Sequence, residues 1–271
     1  MNGKPESFVA ITPGHAPGRY RLPVVSGLSV GDPAKATLFG GAGLAAALAA
    51  IEQETGQAAI WATAQFLSHA FKGECLDIDV TVPGAGHHIR QARAVVSREG
   101  GEILTVLASL GRRPTVHQMQ WAQPPHVPPP EDCEVMPMYW RRGDDDMYIR
   151  LDSRVAPGWT EAPYEDCGRG RFWIRTLDGT PVDRPLLALI GDFLPASLSS
   201  LVGRKLMTSL DNAIRFMKSA PTEWVLCETQ LHAIDEGIAH GAMQMFAEDG
   251  SLLAIASQSV IVRGGPKKAT A

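Results

Sequence analysis

The spacing of apolar residues predicts a buried helix over residues 186–201 of the chain. Leucine and isoleucine recur there at helical intervals and form one apolar stripe: Leu187, Ile190, Leu194, Leu198 and Leu201. Asp183 is positioned to cap the N-terminus, and Pro185 lies just inside the first turn, where its missing N–H costs little. Pro195 is expected to bend or end the helix.

Asp192 lies off this stripe, inside an otherwise apolar stretch. A buried carboxylate is costly unless it is hydrogen-bonded or paired, so its position needs a reason. One interpretation is that Asp192 caps a neighbouring turn or faces solvent. The other is that it belongs to a functional site.

A second helix and a series of strands are predicted in the rest of the chain. Residues 39–54 place Leu44, Leu48 and Ile51 on one helical face. The first strand, residues 20–29, contains Pro23 and is therefore expected at a sheet edge. Apolar runs bounded by turn residues predict further strands at 58–68, 74–82, 88–97, 103–110, 147–152, 171–176, 206–216, 224–233, 237–247 and 252–263.

The later elements repeat the earlier ones at an almost constant offset. Matching residues are 149 or 150 positions apart: Gly41 and Gly191, Phe66 and Phe216, Glu74 and Glu223, Ser109 and Gln258. Each unit is a strand, a long helix and a run of antiparallel strands, and the helix is the element available to cover the sheet. A proline-rich, acidic stretch over residues 123–150 is predicted to connect a first half, 1–122, to a second half, 151–271.

Composition excludes several classes of protein. With 271 residues, 45% of them hydrophobic, the chain is large enough to bury a substantial core. A net charge of −4 gives no basic footprint for nucleic acid, and no apolar run approaches the roughly 20 residues that span a bilayer. The N-terminal residues lack a signal-peptide pattern, and the four cysteines form no C-x-x-C pair. We therefore expect a cytoplasmic protein with reduced thiols and no metal site.

Two short motifs point to other folds but lack the context that those folds need. Residues 27–31 match the G-x-S-x-G nucleophile elbow, yet Asp32 and Pro33 follow where a helix would have to begin. Residues 41–46 match a dinucleotide-binding G-x-G-x-x-A, but no strong strand precedes them and no acid follows about 20 residues later. We interpret these glycines as allowing close packing between the helix and the sheet.

The tandem arrangement resembles the double hotdog fold, and three runs in the second half make the resemblance more specific. Residues 172–195, 208–216 and 257–263 (FWIRTLDGTPVDRPLLALIGDFLP, TSLDNAIRF and SQSVIVR) resemble the bacterial acyl-CoA thioesterase II family. In the first half, the LFGG run at 38–41 and the hairpin around Gly100 and Gly101 lie where that family has equivalents. The resemblance implies an α+β tandem (double) hotdog, with each half an antiparallel sheet wrapped around a long central helix.

The family hydrolyses acyl-CoA thioesters with an Asp, a Thr or Ser, and a Gln that jointly hold the attacking water. The resemblance places these roles on Asp192 as general base and on Ser209 and Gln258 as the groups that position the water. It implies an acyl-CoA substrate, no cofactor because CoA is part of that substrate, and a homo-oligomer of paired subunits. This chain departs from the family at Ser209, where many members have Thr, and at Asn212, where His is common.

The chemistry of these three residues agrees with that assignment. Ionised Asp192 can only accept hydrogen bonds, whereas Ser209 and Gln258 can donate and accept, so together they can orient one water. Shifted back by the repeat offsets, the three positions become Ala42, Ala59 and Ser109, which predicts a single site per chain. We expect the oxyanion donors to be backbone N–H groups near residues 38–43, at a helix start.

Other interpretations remain open from the sequence. Ser209 and Gln258 are equally typical of polar strand residues that face solvent. A hotdog enoyl-CoA hydratase or dehydratase is the nearest enzymatic alternative, although no His accompanies Asp192 in such a motif. A non-catalytic acyl-CoA-binding protein is a third possibility. An acyl slot formed by Phe193, Met207, Met217, Met243 and Met245 competes with their assignment to the core.

Overall fold

The computed structural model describes residues 7–84, 86, 88–137, 145–156, 168–202 and 206–263. Its α-helices are α1 (Gly40–Thr55), α2 (Arg184–Ile190) and α3 (Leu194–Val202). Its strands are β1 (Thr12–Pro13), β2 (Arg19–Pro23), β3 (Ser29–Val30), β4 (Thr37–Leu38), β5 (Ala59–Phe66), β6 (Cys75–Thr81), β7 (Ile89–Arg98), β8 (Gly101–Gly111), β9 (Glu134–Val135), β10 (Leu151–Val155), β11 (Arg169–Thr176), β12 (Leu206–Ser209), β13 (Asp211–Phe216), β14 (Val225–Asp235), β15 (Ile238–Ala247) and β16 (Leu252–Arg263).

Within the described residues, one antiparallel sheet of 14 strands contains every strand except the short pair β3–β4. The strand order is β1-β2-β6-β7-β8-β5-β13-β16-β15-β14-β11-β10-β9, and β12 also pairs with β16. The strands of the first half and those of the second half meet where β5 pairs with β13, and Thr63 lies opposite Ala213 in that register. A single continuous sheet therefore joins the two halves.

Helix α1 is buried because small residues cover most of its surface. Its sequence contains a run of alanines, of which Ala45, Ala46 and Ala47 are fully buried together with Leu44 and Leu48. The helix packs against β5 to β8 and against α2. It ends at Gly56, whose positive φ of 63° favours glycine and whose N–H caps the carbonyl of Glu52.

The helix predicted over residues 186–201 is interrupted, so the prediction of one long helix is wrong. The predicted cap is confirmed, because Asp183 Oδ1 accepts the Leu186 N–H at 2.8 Å. In a continuous helix the ring of Pro195 would clash with the carbonyl of Gly191, four residues earlier. The helix instead stops at Ile190 and restarts at Leu194. The freed Gly191 carbonyl accepts a hydrogen bond from Asn212 Nδ2 at 3.1 Å.

Three predicted strands also differ from the observed elements. The strand predicted at 206–216 breaks at Leu210, whose N–H bonds Ser259 while its carbonyl accepts the Phe66 N–H. The strand predicted at 20–29 stops at Pro23, which cannot donate to the sheet. The strand predicted at 147–152 begins as a 3-10 turn capped by Asp146 Oδ1, and β10 starts only at Leu151.

The described part of the predicted connector contacts both halves. Trp173 Nε1 donates to the carbonyl of Pro128 at 3.0 Å in the second half, whereas Arg150 donates to the carbonyls of Phe8 and Gly27 in the first. Just before the connector, Gln120 bonds both Gly250 and Leu252 at the β15–β16 turn. Residues 138–144 of that connector are outside the described residues. Among the helices that the structure describes, none combines the length and the apolar character needed to cross a membrane.

Candidate active site

The three residues assigned from the sequence lie in mutual contact. Ser209 Oγ donates to Asp192 Oδ1 at 3.2 Å, and the Gln258 amide nitrogen donates both to Asp192 Oδ1 and, at 2.8 Å, to Ser209 Oγ. Asp192 and Gln258 are almost completely buried, with 2% and 1% of their surfaces exposed. One carboxylate, one hydroxyl and one amide therefore form a mutually hydrogen-bonded cluster.

Local interruptions of regular structure place these side chains. Asp192 occupies the break between α2 and α3, where the backbone turns and can direct a side chain away from the helix axis. Ser209 is the last residue of β12, beside the break at Leu210. Gln258 lies on β16 between the segment that pairs with β12 and the segment that pairs with β13. The cluster forms because a helix break and a strand break face each other.

A fourth group, which the sequence did not assign to Asp192, comes from the first half. The Gly41 N–H at the start of α1 donates to Asp192 Oδ2 at 2.6 Å. A Cβ on Gly41 would lie 2.5 Å from the Leu189 carbonyl oxygen, and one on Gly40 would lie 2.7 Å from Asp192 Oδ2. The approach of α1 to Asp192 therefore requires glycine at both positions. The capping role considered for Asp192 is correct in this respect, and the partner helix is α1.

Burial is the dominant influence on the acidity of Asp192. It raises the pKa of this carboxyl from 3.8 to about 6, although hydrogen bonds from Gln258, Gly41 and Ser209 act in the opposite direction. A carboxylate with a pKa near 6 is mostly ionised at neutral pH, and it holds a proton more firmly than an exposed Asp. This is the range in which a carboxylate serves as a general base.

Asp192 and Ser209 open onto a cavity of about 780 Å³ between the two halves. Its apolar wall includes residues from both halves: Leu38, Phe39, Phe66, Ile103, Leu104, Tyr148, Ala196, Met207 and Ile261. Of these residues, only Met207 was considered from the sequence as part of an acyl slot. They come from separate strands and turns, so no local pattern in the sequence brings them together.

Of the five residues considered for an acyl slot, the alternative assignment to the core is correct for Phe193, Met243 and Met245. Met207 lines the cavity. Phe193 instead packs edge-on against Phe39 and Tyr148, and Met243 and Met245 are buried in the core. Met217 is 48% exposed and lines a separate, smaller cavity. Helical and strand spacing did not distinguish core methionines from lining ones.

The repeat positions in the first half carry no equivalent cluster. Ala42 and Ala59 are buried apolar residues, and Ser109 Oγ donates to Gln91 on the exposed side of the sheet. Residues 38–43, where the oxyanion donors were predicted, contain the first turn of α1. There Gly40 lines the cavity, and its N–H makes no hydrogen bond within the described residues. As far as the chain is described, no group of three His, Cys, Asp or Glu side chains converges to hold a metal.

Solved structures establish the class of the fold. The chain matches a candidate thioesterase from Novosphingobium aromaticivorans at 33% identity, with 95% of this chain and 100% of the other covered and a TM-score of 0.88. It matches a hotdog-fold protein of unknown function from Alicyclobacillus acidocaldarius at 19% identity, with 94% and 96% covered and a TM-score of 0.82. It also matches the acyl-CoA thioesterase II of Mycobacterium marinum at 19% identity, with 95% and 97% covered and a TM-score of 0.76. The protein is therefore a hotdog-fold protein.

A family model narrows the class. Residues 118–262 match the model described as the acyl-CoA thioesterase C-terminal domain. No curated protein matches the chain. Together with the structural neighbours, the family match shows that the chain belongs to the acyl-CoA thioesterase II-like family.

Proposed function

We propose that this protein hydrolyses acyl-CoA thioesters, with Asp192 as general base and with Ser209 and Gln258 positioning the water. The observation that carries the proposal is the mutual contact of all three side chains, two of which, Asp192 and Ser209, line a large cavity. A carboxylate has about four acceptor sites. Ser209, Gln258 and Gly41 occupy three of them. The remaining site, on Oδ2 beside Gly40, is available to a water.

In this mechanism the water oxygen attacks the thioester carbonyl carbon while Asp192 takes one of its protons. The negative charge moves to the carbonyl oxygen, and we assign its stabilisation to the Gly40 N–H at the positive end of α1, because the Gly41 N–H is already donated to Asp192. The carbon–sulfur bond then breaks, the CoA thiolate leaves, and the proton held by Asp192 passes to the sulfur. Free acid and CoA are the products, and Asp192 is regenerated.

We also propose that the two halves are tandem hotdog units related by a pseudo-twofold axis. Read from either end towards the β5–β13 pair, the order β2-β6-β7-β8-β5 corresponds to β11-β14-β15-β16-β13. Thr63 and Ala213 are paired in register and are 150 residues apart, the same offset as the sequence repeat. A twofold axis through this pair accounts for both observations. The proposed units are residues 1–122 and 151–271.

The decisive experiment compares wild-type protein with Asp192→Asn in thiol release from a panel of acyl-CoAs. A well-placed base contributes about 10²–10⁴-fold, so we expect kcat to fall by that factor. Asp79→Asn, which removes a half-buried carboxylate on β6 that pairs with Arg19 and does not line the cavity, is the matched control and should retain full activity. Equal hydrolysis by wild type and Asp192→Asn would exclude the proposed base. Hydration of crotonyl-CoA would favour an enoyl-CoA hydratase. Binding of acyl-CoA without hydrolysis would favour a non-catalytic acyl-CoA-binding protein.

A further inference from the structure

The outer part of the cavity carries basic side chains. Lys35, His69 and Arg263 line it and are exposed, whereas Asp192 lines it and is buried. The cavity therefore extends from the proposed reaction centre to a basic rim. This rim stands out because the whole chain has a net charge of −4.

The basic residues of the rim are not neutralised by neighbours. Among the described residues, neither Lys35, His69 nor Arg263 takes part in an ion pair. Among the described residues of the cavity lining, the acids are Asp192 and Asp32, and Asp32 Oδ1 accepts the Ala34 N–H at 3.0 Å within its own turn. Unpaired cations around an opening attract an anionic ligand and strengthen its binding.

Backbone hydrogen bonds hold one side of the rim in place. The segment that carries Lys35 is tied to the segment that carries His69, because Leu38 donates to the Ala70 carbonyl and Lys72 donates to the Ala36 carbonyl, both at 2.9 Å. Arg263 is the last residue of β16, where it pairs with Leu206 of β12. The rim thus combines cations from a loop of the first half and a strand of the second.

We infer that this rim binds the phosphate groups of the nucleotide portion of coenzyme A, with Lys35 and Arg263 as the principal cations and His69 as a further donor. The inference rests on the proposed function, because the thioester must lie at Asp192 while the phosphates reach the rim. It makes Lys35 and Arg263 determinants of substrate recognition. The binding of a phosphate-free thioester of the same acid should not depend on Lys35 or Arg263.

The test compares three thioesters of one acyl group: acyl-CoA, acyl-3′-dephospho-CoA and acyl-pantetheine. Each charged contact that is lost should weaken binding by about tenfold. The Lys35→Ala, Arg263→Ala double variant should therefore raise KM for acyl-CoA at least tenfold while leaving kcat unchanged. Its KM for acyl-pantetheine should not change. Arg113→Ala, at an exposed cation that does not line the cavity, should change neither value.

Two further measurements separate this inference from the proposed function. Calorimetric titration of the wild type with free coenzyme A and with pantetheine measures binding without turnover. We expect coenzyme A to bind more tightly than pantetheine. This difference in affinity should decrease with added salt. Two results would overturn the inference and leave the proposed hydrolysis intact. One is equal affinity for coenzyme A and pantetheine, and the other is a ratio of KM for acyl-CoA to KM for acyl-pantetheine that is the same in the double variant as in the wild type. A KM effect confined to an acylated carrier protein would also overturn it. Failure of the wild type to hydrolyse either acyl-CoA or acyl-pantetheine would instead contradict the proposed function.

Discussion

At the scale of single residues, Asp192 is held in a buried, charged state that opposes stability. Burial raises its pKa to about 6, and the hydrogen bonds from Gln258, Gly41 and Ser209 offset that rise only in part. The same property makes the carboxylate a better proton acceptor than an exposed Asp. Reactivity and a cost in folding free energy therefore come from one cause.

The acidity of Asp192 predicts the pH dependence of hydrolysis. The base acts only when it is ionised, so kcat/KM should rise with pH through an apparent pKa of about 6 and level off above pH 7. Initial rates of thiol release between pH 4.5 and 8.5 would measure this profile. A midpoint near 4, typical of an exposed Asp, would contradict a buried base.

The raised pKa of Asp192 also predicts how the stability of Asp192→Asn differs from that of the wild type. Because the folded-state pKa exceeds the unfolded value, the wild type loses stability as pH rises from about 4 to 6, by about 3 kcal/mol in total. The neutral variant avoids this loss, so its advantage in unfolding free energy should grow through that interval and stay constant above pH 7. Urea unfolding of both proteins at pH 4, 6 and 8 would measure it. A gap that is the same at all three pH values would show that burial does not raise the pKa of Asp192.

The residues of this cluster differ in how far the sequence could reveal them. Asp192, Ser209 and Gln258 were predicted because each lies in a recognisable run and loses its counterpart in the first repeat. The Gly41 contact with Asp192 could not be predicted, since it depends on how α1 docks on a segment 151 residues later. Phe66, Leu104 and Tyr148 were missed because their only common property is the space between them.

At the scale of elements, interruptions in regular structure create the site. The apolar stripe of residues 186–201 continues through the break because α2 and α3 each bury an apolar face, so periodicity alone cannot detect it. In the sequence, Pro195 indicated a break. The break itself lies one turn earlier, because the proline ring would clash with the Gly191 carbonyl in a continuous helix. Asn212 then supplies the hydrogen bond that the Gly191 carbonyl lacks.

The start of α1 allows a test with two substitutions of the same kind. Gly41→Ala would place a Cβ against the Leu189 backbone oxygen and displace α1 from Asp192. A displacement of about 1 Å can cost about 10²-fold in rate, so we expect a loss of that order in kcat. Gly43→Ala introduces the same methyl in the same helix, but its nearest neighbour is the end of the Leu104 side chain. Its kcat should change by only a few-fold.

Thermal unfolding of both variants completes this comparison. Alanine favours a helix over glycine by about 1 kcal/mol, so Gly43→Ala should be near neutral or stabilising. Gly41→Ala should lower Tm because the clash is with backbone. Equal activity of the two variants would show that the approach of α1 does not set the position of Asp192.

At the scale of the whole molecule, the two halves share one sheet, and both line the cavity at Asp192. The spacing of the sequence predicted the order of elements in each half. It also predicted that Ala42, Ala59 and Ser109 do not repeat the polar cluster. The pairing of β5 with β13 was not, because a repeat alone does not say which edges of two sheets meet. Each half therefore leaves one strand edge unpaired when the other half is absent, namely β5 in the first half and β13 in the second.

This shared sheet predicts the behaviour of separated halves. Residues 118–263 produced alone would expose the edge of β13 and lose the Gly41 contact to Asp192, so we expect aggregation and no thioesterase activity. Co-production with residues 1–117 should restore soluble protein and part of the activity. Size-exclusion chromatography and thiol release would measure both. Full activity of the isolated second half would contradict a contribution from α1.

The cavity wall has a consequence for how enzymes of this architecture could diversify. Most of its described lining comes from the first half, which contributes the Gly41 N–H but no acid, hydroxyl or amide side chain to the cluster of Asp192, Ser209 and Gln258. Exchanges at Phe66 or Leu104 would therefore reshape the cavity and leave Asp192 untouched. Under the proposed function, substrate preference can change through the first half while the second half preserves the chemistry.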